Sequence, residues 1–224
     1  MDQNEAKRLA AEKALELLPE SGVLGLGTGS TTKWFIESVG RLVQQGRRYS
    51  GVPTSQESRA LATRLGIPLL DDAGPWDIDL CVDGADEVSD ALDLIKGGGG
   101  AHTREKVVNF AARKNVIIVD ESKLSPLLGE KRAVPIEVLA FAHLSTAASL
   151  AEFGLPELRV QGDTPFVTDS GNYIYDLRVG PIAAPDTLDV ALCRIPGVID
   201  TGLFCGRADI VIVAGNAGIR VLHK

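Results

Sequence analysis

Short apolar segments alternate with amphipathic segments between residues 20 and 120, and this rhythm constrains the fold more than any other feature. VLGL and NVIIVD have the composition of buried strands, whereas KWFIESV and SQESRALATRLG have the spacing of helices. Such alternation is typical of a parallel sheet covered by helices. The sequence therefore predicts an α/β domain with a Rossmann-like, mostly parallel sheet and helices on both faces.

The rhythm changes after Pro126. Four segments read as strands and two as helices, in the order β-α-β-β-α-β: AVPIEVL, LSTAASLAEFG, PELRV, NYIYDLRV, PDTLDVALCRIPG and VIDTGLF. This order is typical of a ferredoxin-like arrangement. The apolar segment ADIVIVAG then predicts one more strand in the first sheet. We expect a first domain of residues 1–128 and 206–224, with a smaller α+β domain, 129–205, inserted near the C-terminus.

The composition excludes several classes of protein. With 224 residues, 45% of them hydrophobic and 24% charged, the chain is typical of globular proteins. A net charge of −7 argues against nucleic acid as the main partner. No apolar run approaches the ~20 residues that span a bilayer, and the charged N-terminal segment is unlike a signal peptide. We expect a cytoplasmic protein in which Cys81, Cys193 and Cys205 are buried thiols.

The turn GLGTGSTT, residues 25–32, lies between a predicted strand and a predicted helix. Its glycines allow the backbone to approach a ligand, and the following helix presents free N–H groups to an anion. Ser30 or Thr31 is expected to cap that helix. The turn lacks the third glycine of a dinucleotide fingerprint, and the second strand ends at Thr54 and Ser55 rather than at an acid. A monophosphate site is favoured, with a tight turn that binds nothing as the alternative.

The segment DGADEV follows an apolar strand that is expected to end near Val82. Asp83 and Asp86 are three residues apart around Gly84, close enough to converge on one small site, whereas Glu87 is free to point elsewhere. Ligands bind at the carboxyl ends of strands in open α/β sheets. The pattern predicts contacts to sugar hydroxyls or a catalytic role; a solvated acidic turn and a divalent-metal site are the alternatives, although no histidine accompanies the carboxylates.

The segment KGGGGAHTREK is the most informative stretch of the chain. Lys96 is followed by four glycines, which suit a backbone that approaches a ligand closely. Glu105 lies on the first turns of the next predicted helix, 101–114, where its carboxylate would face the glycines. Compensation of the helix dipole is the alternative explanation for Glu105.

One more charged residue, Lys123, follows the strand NVIIVD. On its own it is as easily an ordinary surface lysine. We predict, however, that four strand ends of one parallel sheet carry GTGST, DGAD, KGGGG and ESK, and that all of them open on the same edge. This edge would gather both lysines, both aspartates and Glu105 around an anion site.

The four motifs, in this order and spacing, resemble ribose-5-phosphate isomerases of the A type over nearly the whole chain. The resemblance implies aldose–ketose isomerisation of ribose 5-phosphate and ribulose 5-phosphate through an enediolate, in the non-oxidative pentose phosphate pathway. It implies no metal or organic cofactor, and a homodimer or homotetramer. It assigns the catalytic base to Glu105 and further catalytic roles to Asp83 and Lys96. The implied substrate contacts are Thr28, Gly29, Ser30, Thr31, Asp83, Gly84, Ala85, Asp86, Lys96, Gly97, Gly98, Gly99 and Lys123.

The chain departs from the family pattern at two places. His102 and Thr103 stand where the family often has two aliphatic residues, and Asp200 and Thr201 stand where it often has Glu-His. Neither departure touches the charged set. Two other functions remain as alternatives: a non-catalytic sugar-phosphate sensor, against which the pair of Lys96 and Glu105 argues, and an NAD-dependent oxidoreductase.

Overall fold

The computed structural model describes residues 1–224. The chain forms six α-helices: α1 (Gln3–Ala14), α2 (Ser30–Gln44), α3 (Gln56–Arg64), α4 (His102–Ala111), α5 (His143–Leu150) and α6 (Pro185–Cys193). It forms fifteen strands: β1 (Ser21–Leu26), β2 (Arg48–Pro53), β3 (Leu80–Asp83), β4 (Glu87–Val88), β5 (Leu94–Ile95), β6 (Asn115–Asp120), β7 (Val134–Val138), β8 (Leu155–Leu158), β9 (Val160–Gln161), β10 (Thr164–Pro165), β11 (Tyr173–Arg178), β12 (Val198–Thr201), β13 (Leu203–Phe204), β14 (Ile210–Gly215) and β15 (Gly218–His223).

The chain divides into two compact units. The first comprises Met1–Ala85, Arg104–Lys123 and Arg207–Lys224, and the second comprises Asp86–Thr103 and Leu124–Gly206. The predicted domain boundaries placed residues 86–103, 124–128 and 206 in the first domain, and those boundaries stay a prediction. Two of the proposed motifs cross from one unit to the other, at the Ala85–Asp86 and Thr103–Arg104 bonds.

The first unit is built on a six-stranded sheet with the order β15-β14-β6-β3-β1-β2. All neighbours pair in parallel except β14 and β15, which are antiparallel. The strand β15 was not predicted, because its segment GIRVLH has only three apolar residues and directly follows the strand β14. The prediction of a mostly parallel sheet that includes β14 is confirmed.

Helices cover both faces of this sheet because its strands are apolar on both sides. Val82 of β3 packs in one cluster with Phe35 of α2 and Ala10 of α1, whereas its neighbour Cys81 packs against Val108 of α4. The alternation follows from the two-residue period of a strand, which sends successive side chains to opposite faces. The apolar composition of the segment IPLL also predicts a strand, but the structure has there only an isolated bridge between Leu69 and Gly51.

The second unit contains the predicted β-α-β-β-α-β arrangement. Its four-stranded sheet has the order β12-β7-β11-β8, and all pairs are antiparallel. The two helices α5 and α6 contribute Leu150 and Leu192 to a buried cluster with Ile136 of β7 and Leu177 of β11. The turn-rich segment between β8 and β11 also forms the short hairpin of β9 and β10, which the sequence analysis missed.

The second unit also holds a three-stranded antiparallel sheet with the order β13-β5-β4. The strand β5 precedes the glycine run, so the prediction that KGGGG follows a strand of the parallel sheet is wrong. Two-residue strands such as β4 and β5 are too short to show any hydrophobic period. Their partner is therefore decided by tertiary contacts rather than by local sequence.

Two further findings bear on the sequence analysis. Cys81 is buried as expected, but Cys193 is exposed and Cys205 is partly exposed, so the expectation of three buried thiols is wrong. Among the helices, none is at once long and apolar enough to cross a membrane.

Candidate active site

The turn after β1 presents the first turn of α2 as a potential anion site. Gly29 occupies the N-cap position with φ +107°, and no side chain caps the helix. The expectation that Ser30 or Thr31 caps α2 is therefore wrong: Ser30 is already the first helical residue. Since the first N–H groups of a helix have no acceptor within it, they remain available to a bound anion.

The hydroxyl of Thr28 belongs to a cluster of hydroxyl groups in the first unit. Its Oγ1 lies 2.7 Å from Thr54 Oγ1 and 2.8 Å from Ser55 Oγ. Ser58 donates to the carbonyl of Gly27 at 2.6 Å. Thr54 and Ser55 stand where a dinucleotide-binding strand would end in an acidic residue. Here they hold the side chain of Thr28. The hydroxyl-bearing segment PTSQES at the end of β2 is visible in the sequence, but its contact with Thr28 is not.

The carboxylate of Asp83 links the turn after β1 to the turn after β3. Its Oδ1 accepts the N–H of Thr28 at 3.1 Å and the N–H of Gly84 at 2.7 Å. Asp83 is 2% exposed. A Cβ on Gly27 would lie 2.2 Å from the same Oδ1, so only glycine fits beside the carboxylate. The predicted proximity of GTGST and the start of DGAD is observed within the first unit.

Two other predicted residues of the first unit come from α4 and from the turn after β6. Glu105 lies in the first turn of α4 and is 5% exposed. Lys123 is partly buried and ends the 3₁₀ turn Glu121–Lys123. Its charge helps to lower the pKa of Asp120, the last residue of β6. Asp120 is an acidic residue at the strand end that the sequence analysis did not single out.

In the second unit, Asp86 is joined to the glycine run that follows β5. Asp86 Oδ2 accepts the N–H of Gly98 at 2.6 Å, and the N–H of Asp86 donates to Ile95 at 2.8 Å. A Cβ on Gly98 would lie 2.8 Å from Asp86 Oδ1. The glycine run therefore allows the backbone to approach the carboxylate of Asp86 closely. The sequence had predicted such an approach to a ligand instead.

Lys96, at the end of β5, is a buried cation in the second unit. It is 3% exposed, and its Nζ lies 5.5 Å from the ring centroid of Phe204. Its backbone N–H donates to Gly202 at 2.9 Å, and Gly97 follows with φ +104°. Lysine is almost never fully buried unless its charge is paired, so Lys96 differs from an ordinary surface lysine.

The two threonines at the departures from the family pattern, Thr103 and Thr201, have hydrogen-bond partners. Thr103 donates to Glu137 Oε2 at 2.6 Å, and this buried carboxylate also accepts hydrogen bonds from Thr168 and Asn172. The hydroxyl of Thr201 donates to Asp189. Asp189, Cys193 and Asp200 are the residues whose spacing could suit a metal ion, and none of them was predicted as a site residue.

The predicted site residues thus fall into two groups, one in each unit. The first unit holds Thr28, Gly29, Ser30, Thr31, Asp83, Gly84, Ala85, Glu105 and Lys123. The second unit holds Asp86, Lys96, Gly97, Gly98 and Gly99. Within the first group the Thr28–Asp83 bond, and within the second the Asp86–Gly98 bond, connects residues that are distant in sequence.

Comparison with known proteins identifies relatives of this fold and these motifs. The model of the family ribose 5-phosphate isomerase A (phosphoriboisomerase A) matches residues 50–218. The chain is 42% identical to ribose-5-phosphate isomerase A of Thermococcus kodakarensis over 229 residues, covering 100% of both chains. It is 45% identical to that of Gloeobacter violaceus, covering 99% of this chain and 97% of the relative. A solved D-ribose-5-phosphate isomerase in complex with phospho-erythronic acid matches with a TM-score of 0.96 at 41% identity, covering 100% of both chains.

Proposed function

The chain belongs to the ribose 5-phosphate isomerase A family, and on that premise we propose that it interconverts D-ribose 5-phosphate and D-ribulose 5-phosphate through an enediolate. The chain is a sugar-phosphate isomerase. We further propose that it works in the non-oxidative branch of the pentose phosphate pathway. The observation that carries the proposal is the contact of Asp83 with Thr28 in the unit that also contains Glu105.

The reaction moves a proton between C2 and C1 of the open-chain sugar. A proton beside a carbonyl is only weakly acidic, so the site needs a positioned base and a group that stabilises the oxyanion. Glu105 is proposed as the base for both carbons. A positioned base contributes typically about 10²–10⁴-fold to the rate. Its location in the first turn of a helix, almost out of contact with solvent, supports this role because burial keeps bulk water away from the carboxylate.

The phosphate of the substrate is assigned to the start of α2. The unsatisfied N–H groups of the helix and the nearby hydroxyls of Thr28, Ser30 and Thr31 suit three anionic oxygens. The phosphate lies far from the reacting carbons of a pentose. Its binding energy is therefore available to align C1 and C2 with the base, which is how remote groups of a substrate contribute to the rate.

The remaining residues are proposed to hold the sugar and its developing charge. Asp83 and Asp86 would bind hydroxyls and shuttle the proton that opens the furanose ring. Lys96 or Lys123, together with N–H groups of Gly97–Gly99, would stabilise the enediolate oxygen, an interaction that grows as the charge develops.

The ligand of the similar solved structure has a chemistry that fits this mechanism. That protein is described in complex with phospho-erythronic acid, which carries a phosphate and a carboxylate on a short polyol chain. A carboxylate is a planar anion, as is an enediolate. Binding of both anions calls for an anion site for the phosphate and for cationic or N–H groups that face the carboxylate. We propose the same combination for this chain.

The test of the function is a coupled isomerase assay with ribose 5-phosphate, with and without a chelator. We expect turnover that EDTA does not change. Loss of activity in EDTA would favour a metal at the acidic residues. A chain that binds the sugar phosphate without turnover would be a sensor. Turnover that depends on added NAD would identify an oxidoreductase. Each of the last two results contradicts the isomerase proposal.

The test of the base is Glu105→Gln, which keeps the shape of the side chain and removes its basicity. We expect kcat to fall by at least about 10²-fold, since a general base contributes that much or more, with substrate affinity nearly unchanged. The matched control is Glu57→Gln, because Glu57 also lies in the first turn of a helix but is exposed. If Glu105→Gln retained the kcat of the wild type, the base would have to be another residue.

The oligomeric state and the location remain predictions. The resemblance implies a homodimer or homotetramer, which sedimentation of the purified chain would test. The cytoplasmic location predicted from the sequence would be tested by cell fractionation.

A further inference from the structure

Arg159 holds the glycine run of the second unit by its carbonyl groups. The residue follows β8, and its Nη1 donates to the carbonyl of Gly97 at 2.8 Å and to that of Gly98 at 3.3 Å. Glycine has more backbone freedom than any other residue, so a run of glycines has no intrinsic preference for one conformation. A cation that binds two successive carbonyls selects one conformation of the run.

Arg159 is itself fixed by three neighbours in the same unit. Asp176 of β11 accepts from Nε at 2.9 Å and from Nη2 at 2.5 Å, a two-bond geometry that only arginine provides. The guanidinium carbon lies 5.9 Å from the ring centroid of Phe166. The backbone N–H of Arg159 donates to Ile174 at 2.8 Å, and its carbonyl accepts from Phe166 at 2.9 Å. Backbone and side chain are thus both restrained.

The hydrogen bonds to the carbonyls also orient the N–H groups of the loop. In a trans peptide the carbonyl of one residue and the N–H of the next lie in one plane and point in opposite directions. When Arg159 binds the carbonyl of Gly97, the N–H of Gly98 points away from the guanidinium, and it donates to Asp86 Oδ2 at 2.6 Å. The bond to the carbonyl of Gly98 directs the N–H of Gly99 away from Arg159 in the same manner.

We propose that Arg159, held by Asp176, is a positioning residue of the isomerase, an inference that rests on the proposed function. The pair sets the peptide planes of Gly97 and Gly98, and through them the carboxylate of Asp86 and the N–H groups offered to the substrate. Arg159 does not contact the substrate. Arg159 fixes the positions of the N–H donors that stabilise charge in the transition state. Loss of Arg159 therefore lowers kcat more than it raises KM.

The neighbouring ion pair of Arg178 and Glu157 is a matched control. It connects the same two strands, β11 and β8, with Arg178 Nη2 at 3.1 Å from Glu157 Oε2. Its side chains are 64% and 50% exposed, against 16% and 29% for Arg159 and Asp176. Arg178→Ala therefore also removes an arginine that pairs with a carboxylate, but one that makes no hydrogen bond to the glycine run.

The experiment compares the full-length wild type with Arg159→Ala, Arg159→Lys and Arg178→Ala. Misplacement of a reacting group by about 1 Å can cost 10²-fold in rate, so we expect kcat of Arg159→Ala to fall by about 10- to 100-fold. KM should change much less. Arg159→Lys keeps the charge but loses the planar fork, and should recover only part of the loss. Arg178→Ala should retain the kcat and KM of the wild type.

Two further measurements separate positioning from a loss of fold. The double variant Arg159→Ala/Asp176→Asn leaves no unpaired carboxylate and should be no slower than Arg159→Ala alone, because Asp176 acts through Arg159. A cleft of about 260 Å³ is lined by residues that include Arg159, Asp176, Gly98 and Asp86. It offers room for a small cation, so millimolar guanidinium should restore part of the kcat of Arg159→Ala.

The outcomes distinguish this inference from the proposed function. If the wild type turns over ribose 5-phosphate and a folded Arg159→Ala keeps its kcat, the positioning role is wrong while the function stands. An equal loss in Arg178→Ala, or a fall in the melting temperature of Arg159→Lys that accounts for its lost activity, would reduce Arg159 to a structural residue. A wild type without isomerase activity would overturn the function itself.

Discussion

The carboxylate of Asp83 accepts the backbone N–H of Thr28 at 3.1 Å, and this bond connects the turns that follow β1 and β3. These turns are 55 residues apart in sequence. Because the two strands are parallel neighbours in the sheet, their carboxyl ends meet at one edge, and the carboxylate needs only to reach across one strand spacing.

Removal of the Asp83 carboxylate should reduce both stability and activity. Asp83→Ala leaves the N–H groups of Thr28 and Gly84 without their acceptor, which should lower the free energy of unfolding by about 1–3 kcal/mol. Asp83→Asn keeps an acceptor oxygen but no charge. It should lose less stability while kcat/KM still falls by about 10²-fold, as measured by urea unfolding and the coupled assay.

Asp79 provides the control for this prediction. It precedes β3, and its Oδ2 accepts the N–H of Val23 of β1 at 2.9 Å. The bond therefore joins the same two strands, at their amino ends. Asp79→Asn should leave kcat/KM unchanged. A comparable loss of activity in Asp79→Asn would mean that Asp83 matters only for the pairing of β1 and β3.

Gly27→Ala should disrupt the site by steric overlap alone. The added Cβ would lie 2.2 Å from Asp83 Oδ1 and 2.7 Å from Asp83 Cα, so backbone as well as side chain would have to move. Overpacking of this kind costs about 1–3 kcal/mol, and the displaced carboxylate should abolish most turnover. Thermal unfolding and the coupled assay measure the two effects.

Gly46 is the comparison residue for Gly27. A Cβ at Gly46 meets no atom within 4 Å, although its φ of +94° disfavours other residues. Gly46→Ala should lose roughly 1–2 kcal/mol through backbone strain and keep its kcat. If Gly27→Ala were as active as Gly46→Ala, the position of the Asp83 carboxylate would not matter for turnover, and its proposed role would be wrong.

Asp120 should make stability depend on pH in the acid range. Burial alone would raise the pKa of its carboxyl, but hydrogen bonds from Ser122 and Gln3 and the charge of Lys123 outweigh burial and lower the pKa below 3.8. The carboxylate therefore stabilises the fold fully above the pKa of the unfolded chain. This contribution is lost as the pH falls through the lower pKa of the folded chain.

Urea unfolding of the wild type and of Asp120→Asn tests this dependence. The wild type should have the higher free energy of unfolding at pH 7, and the difference should shrink below pH 3.8. The exposed Asp163 supplies the control variant Asp163→Asn. A difference that stayed constant from pH 7 to pH 2 would show that the ionised carboxylate of Asp120 contributes nothing.

Most long elements were predicted from the sequence, although β15 was not, and most of the short strands were missed. The strands β1, β3, β6 and β14 were predicted because each is a continuous apolar segment, and α2 and α3 because their residues have helical spacing. The strand β4 has two residues, and β9 and β10 lie within a turn-rich segment; the equally short β5 was expected, but in the wrong sheet. Such strands depend on their partners rather than on their own pattern.

Candidate residues were found where they cluster in motifs. Asp83, Lys96 and Glu105 stood out because glycines or a helix start flank them. Arg159 lies in the segment PELRV, which reads as an ordinary strand, and its contacts with Gly97 are 62 residues away. No local pattern distinguishes an arginine that binds backbone carbonyls from one that faces solvent.

The sequence by itself determined the α/β class, the β-α-β-β-α-β order and the motifs of the isomerase family, because hydrophobic period and glycine spacing are local properties of the chain. Only the tertiary structure decided that β5 pairs with β4 and β13 rather than with the parallel sheet. It likewise decided that Arg159, paired with Asp176, donates to the carbonyls of Gly97 and Gly98. Both depend on contacts between residues distant in sequence. These contacts form only in the folded chain, so no local pattern of residues reveals them.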